Sequence, residues 1–172
     1  MSRKRRKKAL DEKHEQLIRL LKFVVKFSLL AIPVWLILIF NMQVPVLKDI
    51  TAAIVYWVIK GLSINAMLSG TTITIPTIDG VFAVNLNWVC VGWESMYIFF
   101  ALVFATDFVI RKKIRGMVLL PLIYAVNITR IVSTLVLVSS YGSGLFDILH
   151  NTWTFIFAAI LLFLWWVWLK FI

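Results

Sequence analysis

The chain has 172 residues, of which 62% are hydrophobic and 15% charged, and it carries a net charge of +10. A soluble domain is typically about 45–50% apolar with about a quarter of its residues charged, and a water-facing fold of this size cannot hide so much apolar surface. The composition therefore excludes a soluble enzyme, a disordered chain and a collagen-like chain, and it predicts an integral membrane protein.

The positive charge is concentrated near the N-terminus. Ten of the 18 Lys and Arg residues fall within residues 1–26, together with three acidic residues. A basic segment before an apolar run is typical of a cytoplasmic anchor that contacts anionic lipid headgroups. We expect residues 1–19 to form a basic cytoplasmic tail and residues 20–172 to form one transmembrane domain. Binding of nucleic acid is not expected, because the aromatic and groove-reading elements that it requires are missing.

Apolar segments of membrane-spanning length follow this tail. Residues 20–40, interrupted by Lys26 and Pro33, match the ~20 residues that cross a ~30 Å hydrocarbon layer. Further spans are predicted over residues 90–110, 117–139 and 153–172. The sequence thus predicts an all-α membrane bundle of about four full spans.

Residues 43–68 have a different pattern, with apolar side chains at helical spacing on one side and polar ones on the other. The apolar positions are Val46, Leu47, Ile50, Ala53, Ile54, Trp57, Val58, Gly61 and Leu62. The polar positions are Lys48, Asp49, Thr51 and Lys60. Such amphipathicity favours a helix in the membrane interface, or a re-entrant helical pair, over a lipid-facing span.

Residues 71–86 consist of two β-branched or alternating runs around Asp79-Gly80. Asp-Gly is a strong hairpin signal, because both central positions of such a turn require positive φ. Pro76 fits an edge strand or a bulge. Since an open hairpin cannot lie in lipid, we predict a small extracytoplasmic β-hairpin over residues 71–86.

The orientation follows from the cations of residues 111–115, which are predicted to lie in a short loop. The positive-inside bias places that loop in the cytoplasm, as it does the N-terminus. Counting spans then places Asn41, Cys90 and the predicted loop 140–151 on the outer side. Residues 43–68 therefore cross the membrane zero times or twice.

Three residues of the outer half are candidates for chemistry: Cys90, Arg130 and His150. A cation within an apolar span costs about 2.5–3.5 kcal/mol on insertion scales and is a functional-site hypothesis by default. Cys90 and His150 are expected near the outer surface, and Arg130 roughly 13 Å below Ser139 at 1.5 Å per residue. A thiolate is a strong nucleophile, a nearby His can take its proton, and a fixed cation can stabilise an oxyanion. The three residues therefore supply what acyl transfer requires.

Four neighbouring residues are candidates for supporting or substrate-binding roles: Glu94, Ser95, Asn127 and Asp147. Glu94 could pair with Arg130 or orient His150, and Arg130 could instead have a structural partner in an acidic residue such as Asp107. Asn127 lies one turn from Arg130 and could hold its guanidinium. Asp147, three residues before His150, could orient the imidazole. With one cysteine and two histidines, neither an internal disulfide nor a zinc site is expected, and we expect no cofactor.

From about residue 46 to residue 153 the chain resembles the exosortase/archaeosortase family of membrane cysteine transpeptidases. The resemblance lies in the strand–turn–strand at 71–86, the Cys-x-Gly-x-x-Ser stretch Cys90–Ser95, the Asn-x-x-Arg at Asn127–Arg130 and the isolated His150. It implies a catalytic triad of Cys90, Arg130 and His150 within a catalytic domain over residues 20–172. Val91, where members often have Ser or Thr, and a chain shorter than typical members are two departures from the family pattern.

The resemblance implies a role in protein sorting at the cell membrane, with the active site facing outside. The expected substrates are proteins whose C-terminal signal consists of a short motif, a transmembrane helix and a basic tail, and a membrane lipid is a possible acceptor. Two alternatives stay open. One is a non-catalytic scaffold or lipid-binding module in which Arg130 binds an anionic headgroup. The other is a phosphate-handling enzyme that uses Arg130 and His150, although the outer side lacks the clustered cations of such enzymes. No oligomeric state follows from the sequence.

Overall fold

The computed structural model describes residues 3–40, 42 and 44–171, with side chains from residue 12 onward. The fold is mostly helical with one small antiparallel sheet. In chain order the elements are α1 (Arg3–Ile39), α2 (Pro45–Gly61), β1 (Met67–Ser69), β2 (Thr72–Thr77), β3 (Gly80–Asn85), α3 (Trp93–Ala105), α4 (Ile110–Gly116), α5 (Leu120–Tyr141) and α6 (Phe146–Phe171). Single 3₁₀ turns lie at Val89–Val91, Met117–Leu119 and Ser143–Leu145.

Three helical stretches are long and apolar enough to cross a membrane: Glu12–Ile39, Ile110–Tyr141 and Ser143–Phe171. The segment predicted as a span over residues 90–110 forms α3, which has 13 residues. At 1.5 Å per residue α3 is about 20 Å long, which is less than the ~30 Å of a hydrocarbon layer. The part of the chain that the structure describes therefore has three candidate spans and one shorter apolar helix, where the sequence predicts about four full spans.

Two segments that the sequence predicts as loops are helical. The cations of residues 111–115 lie on α4, and residues 146–151 of the predicted outer loop form the first turns of α6. Lys and Arg are good helix formers, and an acidic residue in a first turn, here Asp147, complements the helix dipole. The predicted tail of residues 1–19 is likewise helical from Arg3 onward, as the beginning of α1.

The α2 helix buries a different face from the one that the apolar pattern indicates. Its buried residues are Thr51, Ala52, Val55 and Ile59, whereas Trp57 of the predicted apolar side is 65% exposed. Thr51 tolerates burial because its hydroxyl donates to the Leu47 carbonyl at 2.8 Å and lies 2.9 Å from the hydroxyl of Tyr124. The apolar side of α2 is thus turned away from the protein core, where lipid can cover it.

After α2 the chain continues into β1, so residues 62–68 contain no second helix. A re-entrant helical pair over residues 43–68 is therefore wrong for the described residues, and α2 is one helix of 17 residues. Pro45 begins it, at a position where the missing N–H of proline costs no helical hydrogen bond.

The predicted hairpin is confirmed, with β2 and β3 paired antiparallel and β1 added as an unpredicted third strand on β2. The turn lies one residue earlier than predicted, at Ile78-Asp79, since Thr77 pairs with Gly80. Positive φ occurs at Gly80 and not at Asp79. Pro76 lies in the central strand, but β1 pairs only with Thr72–Thr74. The missing N–H of Pro76 therefore faces no strand on that side, as at a sheet edge.

The α5 helix is the centre of the fold and contributes to two apolar clusters. The first joins α2, the sheet and α5 through Ala52, Val55, Ile59, Ile73, Ile75, Leu86, Ile131, Val132, Leu135 and Val138. The second joins α3, α5 and α6 through Phe99, Val103, Ile123, Phe157, Leu161, Leu164 and Trp168. Residues 127–130 of α5 lie between the α5 members of these clusters, and of their polar side chains Asn127 is buried, Arg130 is half-buried and Thr129 is exposed.

Candidate active site

Cys90 lies on the 3₁₀ turn that precedes α3, outside the three candidate membrane spans. Its backbone N–H donates to the side-chain oxygen of Asn87 at 3.0 Å and to the Asn87 carbonyl at 3.1 Å. The indole rings of Trp88 and Trp93 stack across the turn, with their centroids 5.2 Å apart. Local contacts among residues 87–93 therefore set the conformation of the backbone that carries the thiol.

Gly92 allows this turn to lie directly against α5. Its φ of +82° is in the left-handed region, and a Cβ at this position would lie 2.7 Å from the amide carbon of Asn127. Glycine is therefore required both for its backbone conformation and for its lack of a side chain. The close approach lets Asn127, which is 1% exposed, donate to the Cys90 carbonyl at 2.9 Å. Asn127 thus binds the Cys90 backbone, and among the described residues no hydrogen bond joins its side chain to the Arg130 guanidinium.

Arg130 lies one turn further along α5 and is half-buried. Its guanidinium carbon is 5.9 Å from the ring centroid of Phe157, a cation–π distance. The ion pairs of the described residues are Glu15–Arg19 and Lys26–Asp107. Neither includes Arg130, so Glu94 and Asp107 are not its structural partners.

Cys90, Arg130 and His150 line the same two cavities. The larger has a volume of about 310 Å³ and is also lined by Glu94, Ser95 and Asn127. This volume is at the lower end of the range of small-molecule sites, about 300–1,000 Å³. The smaller cavity has a volume of about 30 Å³. Tertiary structure thus brings a thiol, a guanidinium and an imidazole from three distant stretches to one place.

His150 is half-buried near the start of α6 and stacks on Phe146, with ring centroids 5.7 Å apart and an interplanar angle of 24°. Asp147 is exposed and lines neither cavity. Within the described part of the chain, no hydrogen bond or ion pair joins Asp147 to His150. The imidazole is thus stacked on the Phe146 ring and has no direct bond to Asp147 among the described residues.

Cys90, on the turn before α3, lies at nearly the same level along the axis of α5 as Arg130. The sequence places Cys90 near the outer surface and Arg130 roughly 13 Å deeper, but the bond to Asn127 puts Cys90 beside the α5 turn that precedes Arg130. The sheet accounts for this difference, because it lies along the C-terminal half of α5, where the Ser139 hydroxyl donates to the Pro76 carbonyl at 2.8 Å. The chain then returns from β3 to the middle of the helix.

Burial raises the pKa of the Cys90 thiol, and the positive charge of Arg130 partly opposes this shift. A thiol with a raised pKa is protonated at neutral pH, so the resting group is not a thiolate. A nucleophilic reaction at Cys90 therefore needs a base, and the imidazole of His150 lies in the same cavity. Among the described residues, no three His, Cys, Asp or Glu side chains lie close enough to hold a metal ion.

Three further residues shape the site without having been predicted as part of it: Asn87, Gly92 and Phe157. The contact of Asn87 could have been predicted, because an Asn side chain often bonds to the backbone of a turn that follows it within a few residues. The glycine of Cys-x-Gly carries another, since glycine next to a candidate nucleophile indicates close backbone contact. Phe157 carries none, because an aromatic residue on an apolar helix is ordinary and its contact with Arg130 depends on packing.

The family model described as Transmembrane exosortase (Exosortase_EpsH) matches residues 14–166. The match covers most of the chain and includes the three residues that share the cavities. Comparison with curated proteins and with solved structures gives no match.

Proposed function

We propose that this chain is a cysteine transpeptidase that cleaves the C-terminal sorting signal of secreted or surface proteins, because it belongs to the transmembrane exosortase family. The chain is a multi-pass membrane protein. The observation that carries the proposal is the common cavity of Cys90, Arg130 and His150. A nucleophile, a base and a cation around one space are the groups that acyl transfer to a thiol requires.

In the first half of the reaction, the neutral imidazole of His150 takes the proton of the Cys90 thiol, and the thiolate attacks the scissile carbonyl. A carbon–sulfur bond forms, and the carbonyl oxygen becomes an oxyanion that the Arg130 guanidinium stabilises. The imidazolium then gives its proton to the leaving amine as the carbon–nitrogen bond breaks. The products are a thioester on Cys90 and the released C-terminal fragment.

In the second half, an acceptor amine attacks the thioester, and His150 takes a proton from it. The carbon–sulfur bond breaks, and the proton returns to the Cys90 sulfur. Water in place of the amine makes the same sequence a proteolysis. We assign Glu94 and Ser95 to acceptor binding, because both line the larger cavity and Glu94 belongs to no ion pair among the described residues. A carboxylate there attracts the ammonium form of an amine before reaction.

The proposed substrate carries a short motif, a transmembrane helix and a basic tail. The larger cavity extends to Ile98 on α3 and to Thr154 and Ala158 on α6, all of which are exposed. A peptide at the outer end of a membrane helix can therefore approach Cys90 from the lipid side. In this arrangement the N-terminus is cytoplasmic, the active site faces outside, and a membrane lipid with an amine headgroup is one possible acceptor.

One observation favours a non-catalytic lipid-binding module as a second candidate. Arg130 lines both cavities, and the described part of the chain supplies its guanidinium with neither a hydrogen bond nor an ion pair. An anionic lipid headgroup would satisfy this cation. The two candidates differ at Cys90, which only the transpeptidase requires.

The test is co-expression with a membrane protein that carries a C-terminal motif, an apolar helix and a basic tail. We expect wild-type protein to shorten the substrate and to form a covalent adduct that hydroxylamine cleaves, as expected for a thioester. Cys90→Ala is expected to abolish both, while Thr129→Ala, an exposed change on α5, preserves both. Processing that continues in Cys90→Ala would contradict the transpeptidase, because another group would then carry out the cleavage, whereas a wild-type protein that processes no substrate would favour the lipid-binding module.

A further inference from the structure

The tip of the hairpin is joined to the loop between α5 and α6 by the carboxylate of Asp79. This carboxylate accepts hydrogen bonds from the Ser143 hydroxyl at 2.7 Å and from the Ser143 backbone N–H at 3.0 Å. Within the hairpin it also accepts a bond from the Thr77 hydroxyl at 2.6 Å. Residues 64 positions apart in the chain are thereby held together at the outer end of the fold.

The loop has a backbone conformation that suits this contact. Gly142 has a φ of +101°, and a Cβ at this position would lie 3.3 Å from a carboxylate oxygen of Asp79. A side chain would therefore be strained at Gly142 and would crowd the acceptor. A second hydrogen bond connects the hairpin to α5 one turn earlier, where the Ser139 hydroxyl donates to the Pro76 carbonyl of β2 at 2.8 Å.

The same loop leads directly to His150. Phe146, the first residue of α6, packs on Phe82 of β3 with ring centroids 5.2 Å apart. Phe146 also stacks on the His150 ring, with ring centroids 5.7 Å apart. The hairpin therefore contacts the loop between α5 and α6 through Asp79, and it contacts the first residue of α6 through Phe82.

We propose that Asp79 is a positioning residue: by fixing the loop between α5 and α6, its carboxylate holds the first turns of α6 so that His150 faces Cys90. The inference rests on the function proposed above and extends it to a residue at the tip of the hairpin. Asp79 touches neither Cys90 nor the cavities that Cys90 lines. Its effect passes through Ser143 and Phe146.

The test combines hydrogen exchange with processing kinetics on the full chain in lipid nanodiscs. The variants are Asp79→Ala, Asp79→Asn and Ser143→Ala, with Asp49→Asn, an exposed change of the same charge on α2, as the control. Asp79→Asn keeps one acceptor oxygen and Ser143→Ala keeps the backbone donor, so both remain informative if Asp79→Ala fails to fold. Exchange in residues 142–150 measures positioning without requiring any activity.

We expect exchange in residues 142–150 to become about tenfold faster in Asp79→Ala, the factor that corresponds to loss of one charge-assisted hydrogen bond. Asp79→Asn and Ser143→Ala should give smaller increases, and Asp49→Asn none. The maximal processing rate should be lower in each variant whose exchange is faster. The substrate concentration at half-maximal rate should stay constant, because Asp79 does not bind substrate. The Asp79→Asn and Ser143→Ala effects should also be non-additive.

Unchanged exchange in Asp79→Ala and Asp79→Asn would overturn the inference. Faster exchange together with a wild-type maximal rate would also overturn it, since the loop would then be irrelevant to His150. A wild-type protein that processes no substrate would refute the proposed function instead, and the exchange measurement would still report whether Asp79 holds the loop.

Discussion

The side-chain amide of Asn127 donates a hydrogen bond of 2.9 Å to the backbone carbonyl of Cys90. This bond connects the turn that carries the thiol to the helix that carries Arg130. Asn127 is 1% exposed, so the amide that makes this bond is buried between the turn and α5. The relative position of thiol and guanidinium therefore depends on one buried amide.

Asn127→Leu should slow substrate processing about tenfold or more. Leucine has a similar volume but no donor, and a buried carbonyl without its partner costs about 1–3 kcal/mol. The turn at Cys90 should then shift away from α5 to reach another donor. Single-turnover processing rates measure the effect, and Thr129→Ala serves as the control on the same helix. A wild-type rate in Asn127→Leu would mean that the bond does not position the thiol.

Gly92→Ala should destabilise the protein by about 1–3 kcal/mol. The new Cβ would lie 2.7 Å from Asn127, and the φ of +82° is unfavourable for alanine. The expected result is a lower midpoint of thermal unfolding in detergent. Gly144→Ala is the matched control, because a Cβ there meets nothing within 4 Å. Equal midpoints for the two variants would contradict the close approach at Gly92.

The alkylation rate of Cys90 should rise with pH and should depend on Arg130. Cys90 is the only cysteine of the sequence, so labelling by a small uncharged reagent reports on it alone. Burial raises the pKa of the thiol and Arg130 lowers it, and only the thiolate reacts. Removal of the cation in Arg130→Met should therefore raise the pKa further and slow labelling at a given pH. The control is Arg111→Gln, at an exposed position on α4. Coinciding pH profiles for wild type and Arg130→Met would show that the Arg130 guanidinium and the Cys90 thiol do not interact.

Arg130 and His150 should affect processing by amounts typical of catalytic groups. Loss of one oxyanion donor costs about 10²–10³-fold in rate, so Arg130→Met should fall in that range. Arg130→Lys should lose less, because it keeps the charge but not the planar donors. Loss of a general base costs about 10²–10⁴-fold, which is expected for His150→Gln. Single-turnover rates with folded protein measure these effects, and losses below threefold would argue against these roles.

The packing of the C-terminal end of α6 against α4 should depend on Trp168. Its indole is 0% exposed and donates to the Lys112 carbonyl at 3.1 Å, and a Cβ at Gly116 would lie 2.7 Å from its nitrogen. Trp168→Phe should cost about 1 kcal/mol for the lost hydrogen bond, with a further cost for the space left behind. Trp166→Phe, at a position that is 48% exposed, should have little effect. Thermal unfolding compares the two, and an equal effect would contradict the buried contact.

Much of the secondary structure could be predicted from the sequence, because it depends on local patterns. The apolar runs, the amphipathic segment and the Asp79-Gly80 signal led to helices and a hairpin close to those observed. The errors arose where local pattern and packing disagree. Residues 43–68 were expected to form an interfacial helix or a re-entrant helical pair, but α2 is a single helix that packs on α5 through a face that includes Thr51, whose hydroxyl lies beside that of Tyr124. In a membrane, apolar side chains gain little by facing the core rather than lipid.

Six of the seven predicted site residues line the larger cavity and Asp147 does not, and the contacts within the site could not be predicted. Asn127 was expected to bind Arg130, one turn away on the same helix, and Asp147 to orient His150, three residues away. Both expectations relied on proximity along one helix. In the structure these partners are replaced by the Cys90 carbonyl and the Phe146 ring.

The sequence by itself determined that this protein is embedded in a membrane, that it is mostly helical with a small hairpin, and which family it belongs to, because composition, periodicity and short motifs are properties of the chain alone. Only the tertiary structure decided that Cys90, Arg130 and His150 line one cavity, that Asn127 bonds to residue 90, and that Asp79 holds the loop leading to His150. These contacts join residues 37 and 64 positions apart, and contacts over such distances depend on how helices and sheet pack together.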